Sequence, residues 1–198
     1  FKVADTPDEG KSEAFSPESL TKALYKIPVD AKVVSISLAV SQEIDRKLTE
    51  NVKLVEAVLA LLEDGVIVLA GGGNIDSIFG LSERNQKDFA FYPAAIDGVL
   101  TIGAVDESFD PDSLFNTRKA NGEIYLDMVA PGVNILAQAY IGVNTTSIGS
   151  SSPATALVAG AASIIAKKYP DHTQEILLNS AGNLTDPLLG AGYLDLEK

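Results

Sequence analysis

Three adjacent serines before a proline are the residues of this chain best suited to chemistry. Ser150, Ser151 and Ser152 precede Pro153, and both residue types are common where helices begin. A helix N-terminus carries positive potential and free N–H groups, which favour an oxygen nucleophile and the oxyanion that it creates. Most Ser-Pro helix starts only cap a helix, so the catalytic and the structural interpretation both stay open on this segment alone.

A glycine run after a predicted strand offers a second candidate site. Gly71, Gly72 and Gly73 follow the apolar run Val66–Ala70 and precede Asn74. Residues without side chains let another backbone or a ligand come very close, and the following amide could donate into a site. A tight turn explains the glycines equally well. A dinucleotide fingerprint is excluded, because the last glycine of that motif is missing.

The composition limits the chemistry further. Among 198 residues there are 15 Lys and Arg, 27 Asp and Glu, one His and no Cys, with a formal net charge of −12. The absence of Cys excludes a thiolate nucleophile and disulfides, and a single His excludes a two-His metal site. The acidic balance argues against nucleic-acid binding. His172 follows Asp171 at a predicted helix start, where a solvated histidine is far more common than a catalytic base.

The apolar runs are shorter than the roughly 20 residues of a membrane-spanning helix, so we expect no membrane partner. The first residues do not resemble a signal peptide. The chain begins at Phe1 without an initiator Met, and we expect this start to follow a cleavage or other boundary within a longer sequence.

The candidate residues are positioned by strands and helices that alternate along the chain. Valine- and isoleucine-rich runs predict strands, and steps of three and four apolar residues predict helices. The predicted strands are Phe1–Ala4, Lys32–Ala39, Val66–Ala70, Val99–Val105, Glu123–Val129 and Asn134–Ala139. Four helices are predicted: one that begins at Ser16–Glu18, one from Ser41 to Leu62 that ends before Gly65, one over Pro153–Lys168, and one that Asp171 caps and that runs through Ala181.

Two segments are predicted to be irregular, namely Ile75–Ala90 as an excursion and Asn144–Ser152 as a turn rich in Ser and Thr. A strand, a helix and a strand joined by a crossover of this length form a βαβ unit, so the sheet is expected to be parallel. We therefore predict one α/β domain over residues 1–198.

In combination, these segments resemble the subtilisin-like serine proteases (subtilases). Lys32–Ala39 is similar to the strand whose Ser-Leu-Gly edge lines the substrate groove, and Val66–Asn74 to the strand whose final Asn is the oxyanion donor. Ser150–Gly160 is similar to the nucleophile segment Gly-Thr-Ser-x-Ala-Ser/Thr-Pro-His-Val-Ala-Gly. Further similar segments are Tyr92-Pro93-Ala94, Val99–Val105, Ala130-Pro131-Gly132 and Gly190–Asp195. The resemblance implies a parallel-sheet subtilisin-like α/β fold with helices on both faces, lacking its N-terminal part in this chain.

The resemblance also implies roles for individual residues. Counting back from Gly160 places Ser152 at the nucleophile, whereas restoring the leading glycine of the motif would select Ser151. The first register is favoured, because a one-residue insertion would rotate the packing face of the helix by about 100°. Asn74 would be the oxyanion donor. The substrate would lie between Ser37, Leu38 and Ala39 on one side and Gly71, Gly72 and Gly73 on the other.

Departures from the motif change the shape of the expected site. Ser150 replaces a glycine, Ala156 and Leu157 replace the helical Pro and His, and Ala39 replaces the groove glycine. The substitutions at 156 and 157 affect packing more than chemistry, whereas Ala39 and the glycine run alter the two walls of the specificity pocket.

The Asp-x-Gly and His-Gly-Thr-His segments of the family lie upstream of the matched region, and no His-Gly-Thr-His segment occurs here. The resemblance implies that a separate N-terminal chain or fragment supplies the catalytic Asp and His, and that the substrate is a peptide or protein. The alternative is a catalytically inactive subtilase-like subunit that acts as a scaffold or binding module. Fluorophosphonate labelling would separate the two.

No cofactor is required for this chemistry. Structural Ca²⁺ could be held by the acidic loops Asp5–Glu13 and Asp106–Asp112, although a solvated acidic surface is the simpler interpretation. The export habit of the family implies secretion.

Overall fold

The computed structural model describes residues 16–43, 51–73, 89–109, 126–138, 145–182 and 189–197. The elements, in chain order, are α1 (Pro17–Leu24), β1 (Val33–Ile36), β2 (Val40–Glu43), α2 (Val52–Glu63), β3 (Ile67–Gly71), β4 (Phe89–Tyr92), β5 (Leu100–Val105), β6 (Met128–Pro131), β7 (Ile135–Gln138), β8 (Thr145–Ile148), α3 (Ser151–Lys168) and α4 (Thr173–Asn179), with a 3-10 turn at Pro170–His172. The predicted strand Phe1–Ala4 and the acidic loop after it lie outside the described residues.

The central sheet has four parallel strands in the order β1-β3-β5-β6. Their buried Val, Ile, Leu and Ala residues leave little polar surface on either face, which is typical of a parallel sheet covered on both sides. The predicted strands at Lys32–Ala39 and Val99–Val105 are confirmed as the shorter β1 and β5, and that at Val66–Ala70 as β3, which lies one residue later. The sheet therefore has the predicted α/β architecture.

Alternation along β3 shows that helices cover both faces. Val68 and Ala70 lie in a core cluster with residues of α1 and α2, whereas Leu69 lies in a second cluster with α3. Successive residues of a strand point to opposite faces, so α1 and α2 cover one face and α3 covers the other. The predicted helix start at Ser16 is also confirmed, because its hydroxyl accepts a hydrogen bond from the backbone N–H of Ser19 at 3.1 Å.

The helix α3 contacts all four strands of the central sheet. Its sheet-facing residues are small, with Ala154, Val158 and Ala162 fully buried. Small side chains let the helix lie close to the sheet along its whole length. The predicted helix Pro153–Lys168 is thus confirmed in kind, but it begins two residues earlier, at Ser151. Proline is accommodated in this first turn because those N–H groups have no partner within the helix.

The prediction that a helix opens at Ser41 is wrong. Val40–Glu43 forms β2, which pairs antiparallel with β4, and α2 runs only from Val52 to Glu63. The pairing with a segment about 50 residues further along decides the conformation here, and local periodicity does not report it. The end of α2 is as predicted, because Gly65 adopts a φ of 75° after it.

The prediction of an irregular turn at Asn144–Ser152 is also wrong for its described part. Thr145–Ile148 is a strand that pairs antiparallel with β7. β-branched residues suit such a strand. Asp171 is not the N-cap of the last helix either. It lies in the 3-10 turn, and α4 runs from Thr173 to Asn179.

Gly132 and Gly160 provide a test of the packing that positions α3. A Cβ at Gly132 would overlap the Cβ of Ala104 and lie 2.7 Å from the carbonyl oxygen of Ser150, whereas a Cβ at the exposed Gly160 would meet nothing within 4 Å. We expect Gly132→Ala to lower the free energy of unfolding by about 2 kcal/mol and Gly160→Ala to raise it by up to about 1 kcal/mol. Urea unfolding of both variants measures the difference. Equal effects would contradict the close approach at Gly132.

Candidate active site

The three serines occupy the first turn of α3 and face different surroundings. Ser150 is the N-cap, and its Oγ accepts the backbone N–H of Ser152 at 3.1 Å. Ser151 is 3% exposed, and its Oγ donates to the carbonyl oxygen of Gly73 at 3.2 Å. Ser152 is half-buried. Among the three, Ser152 therefore combines access to solvent with a place at the positive end of the helix.

Thr155 reinforces this turn. Its Oγ1 is buried and donates to the carbonyl oxygen of Ser151 at 2.7 Å. Thr155 is not among the residues that the sequence patterns indicated for the site. Its position four residues after Ser151 was the available signal, because a Thr hydroxyl in a helix commonly donates to the carbonyl four residues before it.

The end of β3 approaches α3 very closely. A Cβ at Gly71 would lie 2.9 Å from the Oγ of Ser151 and 3.4 Å from the Oγ1 of Thr155. The backbone N–H of Gly72 donates to the carbonyl oxygen of Ile102 at 2.8 Å, which keeps the glycine run attached to β5. Gly71 thus makes room for the helix, and the absence of its side chain sets the distance between the two elements.

The end of β1 reaches the same place. The Oγ of Ser37 donates to the carbonyl oxygen of Ser152 at 3.2 Å, while Leu38 is 39% exposed and Ala39 is half-buried. Neighbouring parallel strands end at the same edge of a sheet, where ligands of open α/β sheets bind. The structure therefore brings together residues 37–39, 71–73 and 150–152, three segments that the sequence analysis assigned to one site.

Asn74 lies outside the described residues. It follows Gly73 directly in the chain, and its part as oxyanion donor stays a prediction. The choice between Ser151 and Ser152 also stays a prediction, although the geometry favours Ser152. The hydroxyl of Ser151 is buried and engaged with Gly73, whereas a nucleophile needs access to its substrate.

His172 lies at the opposite end of α3. It lies four residues after Lys168, the last residue of this 18-residue helix, which is about 27 Å long at 1.5 Å per residue. Its side chain is exposed, with Nδ1 3.3 Å from the Oε2 of Glu175. His172 therefore cannot reach Ser152 in this fold.

The described part of the chain contains no group of three or more His, Asp or Glu side chains arranged to hold a metal ion. Asp106 accepts the backbone N–H of Ser108 at 2.8 Å, which closes a turn. The acidic loop Asp5–Glu13 lies outside the described residues, so a Ca²⁺ site there stays a prediction. No helix in the described ranges is both long enough and apolar enough to cross a bilayer.

Comparison with known proteins identifies the relatives of this arrangement. The family model described as "Subtilase family" matches residues 4–192. Subtilisin DY from Bacillus licheniformis is 32% identical over 149 residues, which is 73% of this chain and 50% of that protein. Subtilisin BL from Lederbergia lenta is 32% identical over 152 residues, with 73% and 49% covered. The chain thus spans about half the length of these curated relatives.

Solved structures show the same fold. The prenylagaramide maturation protease PagA superposes with a TM-score of 0.70 at 22% identity, covering 93% of this chain and 66% of that one. The patellamide maturation protease PatA superposes with a TM-score of 0.69 at 24% identity, covering 92% and 67%. At these identities the likeness establishes the architecture alone.

The Ser150 cap can be tested by its effect on stability. We expect Ser150→Ala to lower the free energy of unfolding by about 1 kcal/mol, because the N–H of Ser152 loses its acceptor, and Ser150→Gly to lower it by only a few tenths. Ser163→Ala is the matched control, since Ser163 is exposed in the middle of the same helix. Urea unfolding compares the three variants. An equal loss in Ser150→Ala and Ser163→Ala would contradict the cap.

Proposed function

Because this chain belongs to the subtilase family, we propose that it is the serine-bearing part of a peptide-hydrolysing enzyme in which Ser152 is the nucleophile. One observation carries the proposal. Ser152 is half-buried in the first turn of α3, and its own carbonyl is bonded to Ser37 while its neighbour Ser151 is bonded to Gly73. A serine in a helical turn that two strand ends hold at a helix N-terminus has the fixed position that nucleophilic catalysis requires.

In the proposed reaction, the Oγ of Ser152 forms a bond to the carbonyl carbon of a peptide while a histidine base takes its proton. The carbonyl oxygen becomes an oxyanion, which Asn74 and the N–H of Ser152 stabilise. The C–N bond then breaks, and the amine leaves with the proton that the base returns. Water hydrolyses the acyl-enzyme by the same route. Residues 37–39 and 71–73 would flank the extended substrate backbone.

The Ser150 cap bears directly on the oxyanion step. The N–H of Ser152 donates to the Oγ of Ser150, so an oxyanion has to displace or share that bond. A charged acceptor forms a stronger hydrogen bond than a neutral hydroxyl. Exchanging the Ser150 hydroxyl for the substrate oxygen is therefore favourable once that oxygen carries negative charge, and unfavourable while it belongs to a neutral carbonyl. This arrangement supports a donor that acts on the transition state more than on the bound substrate.

We further propose that an N-terminal chain or fragment supplies the catalytic His and Asp. The single histidine of this chain lies beyond the far end of α3, a helix about 27 Å long. One face of α3 also supports this partner, because it exposes a stripe of mostly apolar or small residues, namely Ala156, Leu157, Gly160, Ser163 and Ile164.

Leu157 is 44% exposed and Ile164 is 75% exposed. A contiguous apolar stripe on a helix is typical of a surface that another element covers. The small residues between them allow a second helix to approach closely. The stripe begins one turn after Ser152, so an element packed on it would end beside the nucleophile. Export from the cell is a further part of the proposal and rests on family membership.

Fluorophosphonate labelling of the native protein, followed by peptide mapping, tests the nucleophile. We expect the label on Ser152, its loss in Ser152→Ala and its retention in Ser151→Ala. Mass analysis of the same sample should find a polypeptide with the Asp-x-Gly and His-Gly-Thr segments. Absence of label while that polypeptide is present would refute the enzyme and favour an inactive scaffold, and label on Ser151 would refute the register.

Asn74→Ala tests the oxyanion donor. Loss of one such donor typically costs about 3 kcal/mol of transition-state stabilisation, so we expect kcat to fall by about a hundredfold or more with little change in KM. Asn179→Ala, an exposed asparagine at the end of α4, should leave both values unchanged. A fall in kcat of less than about fivefold for Asn74→Ala would contradict this role.

A further inference from the structure

The hydroxyl of Ser150 accepts one hydrogen bond and keeps its own proton available. Its Oγ accepts the backbone N–H of Ser152 at 3.1 Å, and within the described residues this is the one hydrogen bond that the side chain makes. A serine hydroxyl also carries a donor proton and a second lone pair. Ser150 is half-buried, so its O–H is free to turn toward a group that enters the site.

The two neighbouring hydroxyls do not have this freedom. Ser151 is 3% exposed, and its O–H is donated to the carbonyl oxygen of Gly73 at 3.2 Å. Ser152 gives up its proton in the proposed reaction. Ser150 is therefore the serine of the three whose hydroxyl remains available as a donor when the oxyanion forms. The subtilase motif has glycine at this position, so this chain carries a hydroxyl where the motif has no side chain.

The backbone of Ser150 is attached to the end of β6, which fixes the position of this hydroxyl. The N–H of Ser150 donates to the carbonyl oxygen of Gly132 at 2.7 Å, and Gly132 directly follows the last residue of β6. A Cβ at Gly132 would also lie 2.7 Å from the carbonyl oxygen of Ser150, so the two residues are in close contact. A donor that is held in place before the reaction costs little reorganisation when charge develops.

We propose that Ser150 is an additional oxyanion donor, whose hydroxyl accepts the N–H of Ser152 in the resting protein and donates its own O–H to the oxyanion once that forms. The inference rests on the proposed function, which places the oxyanion on the N–H of Ser152. A backbone N–H can be shared between two acceptors, and such three-centre bonds are common at helix termini. Two acceptors about 3 Å from one nitrogen, in directions that differ by about 60°, lie about 3 Å from each other. That separation is a hydrogen-bond distance for a hydroxyl and an oxyanion.

Charge on the substrate oxygen determines when the hydroxyl of Ser150 donates to it. A hydrogen bond to a charged oxygen is shorter and roughly twice as strong as one to a neutral carbonyl. The bond from Ser150 is therefore stronger in the transition state than in the bound substrate. An interaction of this kind raises kcat and leaves KM nearly unchanged.

Peptide hydrolysis by Ser150 variants, measured on the native protein together with its His-bearing partner, tests the proposal. We expect Ser150→Gly and Ser150→Ala to lower kcat by about tenfold or more, with KM within about twofold of wild type. Ser150→Thr retains a hydroxyl and should keep most of the activity. Glycine caps a helix almost as well as serine, so a role in capping alone would leave Ser150→Gly near wild type. Ser16→Gly is the matched control, because Ser16 caps α1 through the same kind of bond and has no part in the proposed reaction.

Inhibition by a peptide trifluoromethyl ketone gives a second readout, because addition of Ser152 to its carbonyl leaves an oxyanion and no leaving group. The inhibition constant should rise by about tenfold or more in Ser150→Gly. A peptide amide of the same sequence should bind Ser152→Ala equally well with and without Ser150→Gly. A kcat of Ser150→Gly within about twofold of wild type, or above it, would overturn the inference, as would an unchanged inhibition constant. If the wild type neither hydrolyses peptides nor takes the fluorophosphonate label, the proposed function is refuted and the inference falls with it.

Discussion

The close contact between the end of β3 and the first turn of α3 determines the rest of the site. Gly71 has no side chain where a Cβ would meet Ser151, and the hydroxyl of Ser151 bonds to the carbonyl of Gly73. Any larger residue at 71 would push the helix from the sheet and with it the half-buried Ser152 at the second position of the helix. The small residues along the buried face of α3 extend this contact over all four strands. The geometry of the site is therefore a consequence of how closely a helix can approach a sheet.

The features of the fold that local sequence determines could be predicted. Apolar β-branched runs at Val33–Ile36 and Leu100–Val105 form strands in almost any context that buries them, and Ser16 and Gly65 mark helix ends through their own backbone and side-chain chemistry. The sequence also predicted that three segments meet at one site, namely residues 37–39, 71–73 and 150–152. Parallel strands end at one edge of a sheet, and the order of motifs resembles a known family. The family is confirmed, whereas the part of each residue in catalysis stays a prediction.

The features that depend on pairing with another segment of the chain could not be predicted. Val40–Glu43 continues into a helical pattern of apolar residues, and only its pairing with Phe89–Tyr92 makes it a strand. Thr145–Ile148 has the composition of a polar turn, and its pairing with Ile135–Gln138 decides otherwise. The burial of Phe91 against Gly73 likewise depends on two chain segments meeting in space. The sequence of a short strand carries little information about its own conformation, so pairing with another segment decides it.

In the resting protein, the hydroxyl of Ser150 accepts the backbone N–H of Ser152. It fills the place of a solvent acceptor but is covalently attached to the chain. A free water in this place would exchange with chloride, phosphate or other small anions that are attracted to a helix N-terminus. Because the hydroxyl of Ser150 is part of the chain, it is present beside the N–H of Ser152 at high effective concentration. Weak acceptors from solution have to compete with it. The oxyanion that the proposed reaction forms on Ser152 would be tethered as well, and it would carry charge. In the proposed reaction, the cap would therefore favour an acceptor delivered by covalent chemistry over a weak acceptor from solution.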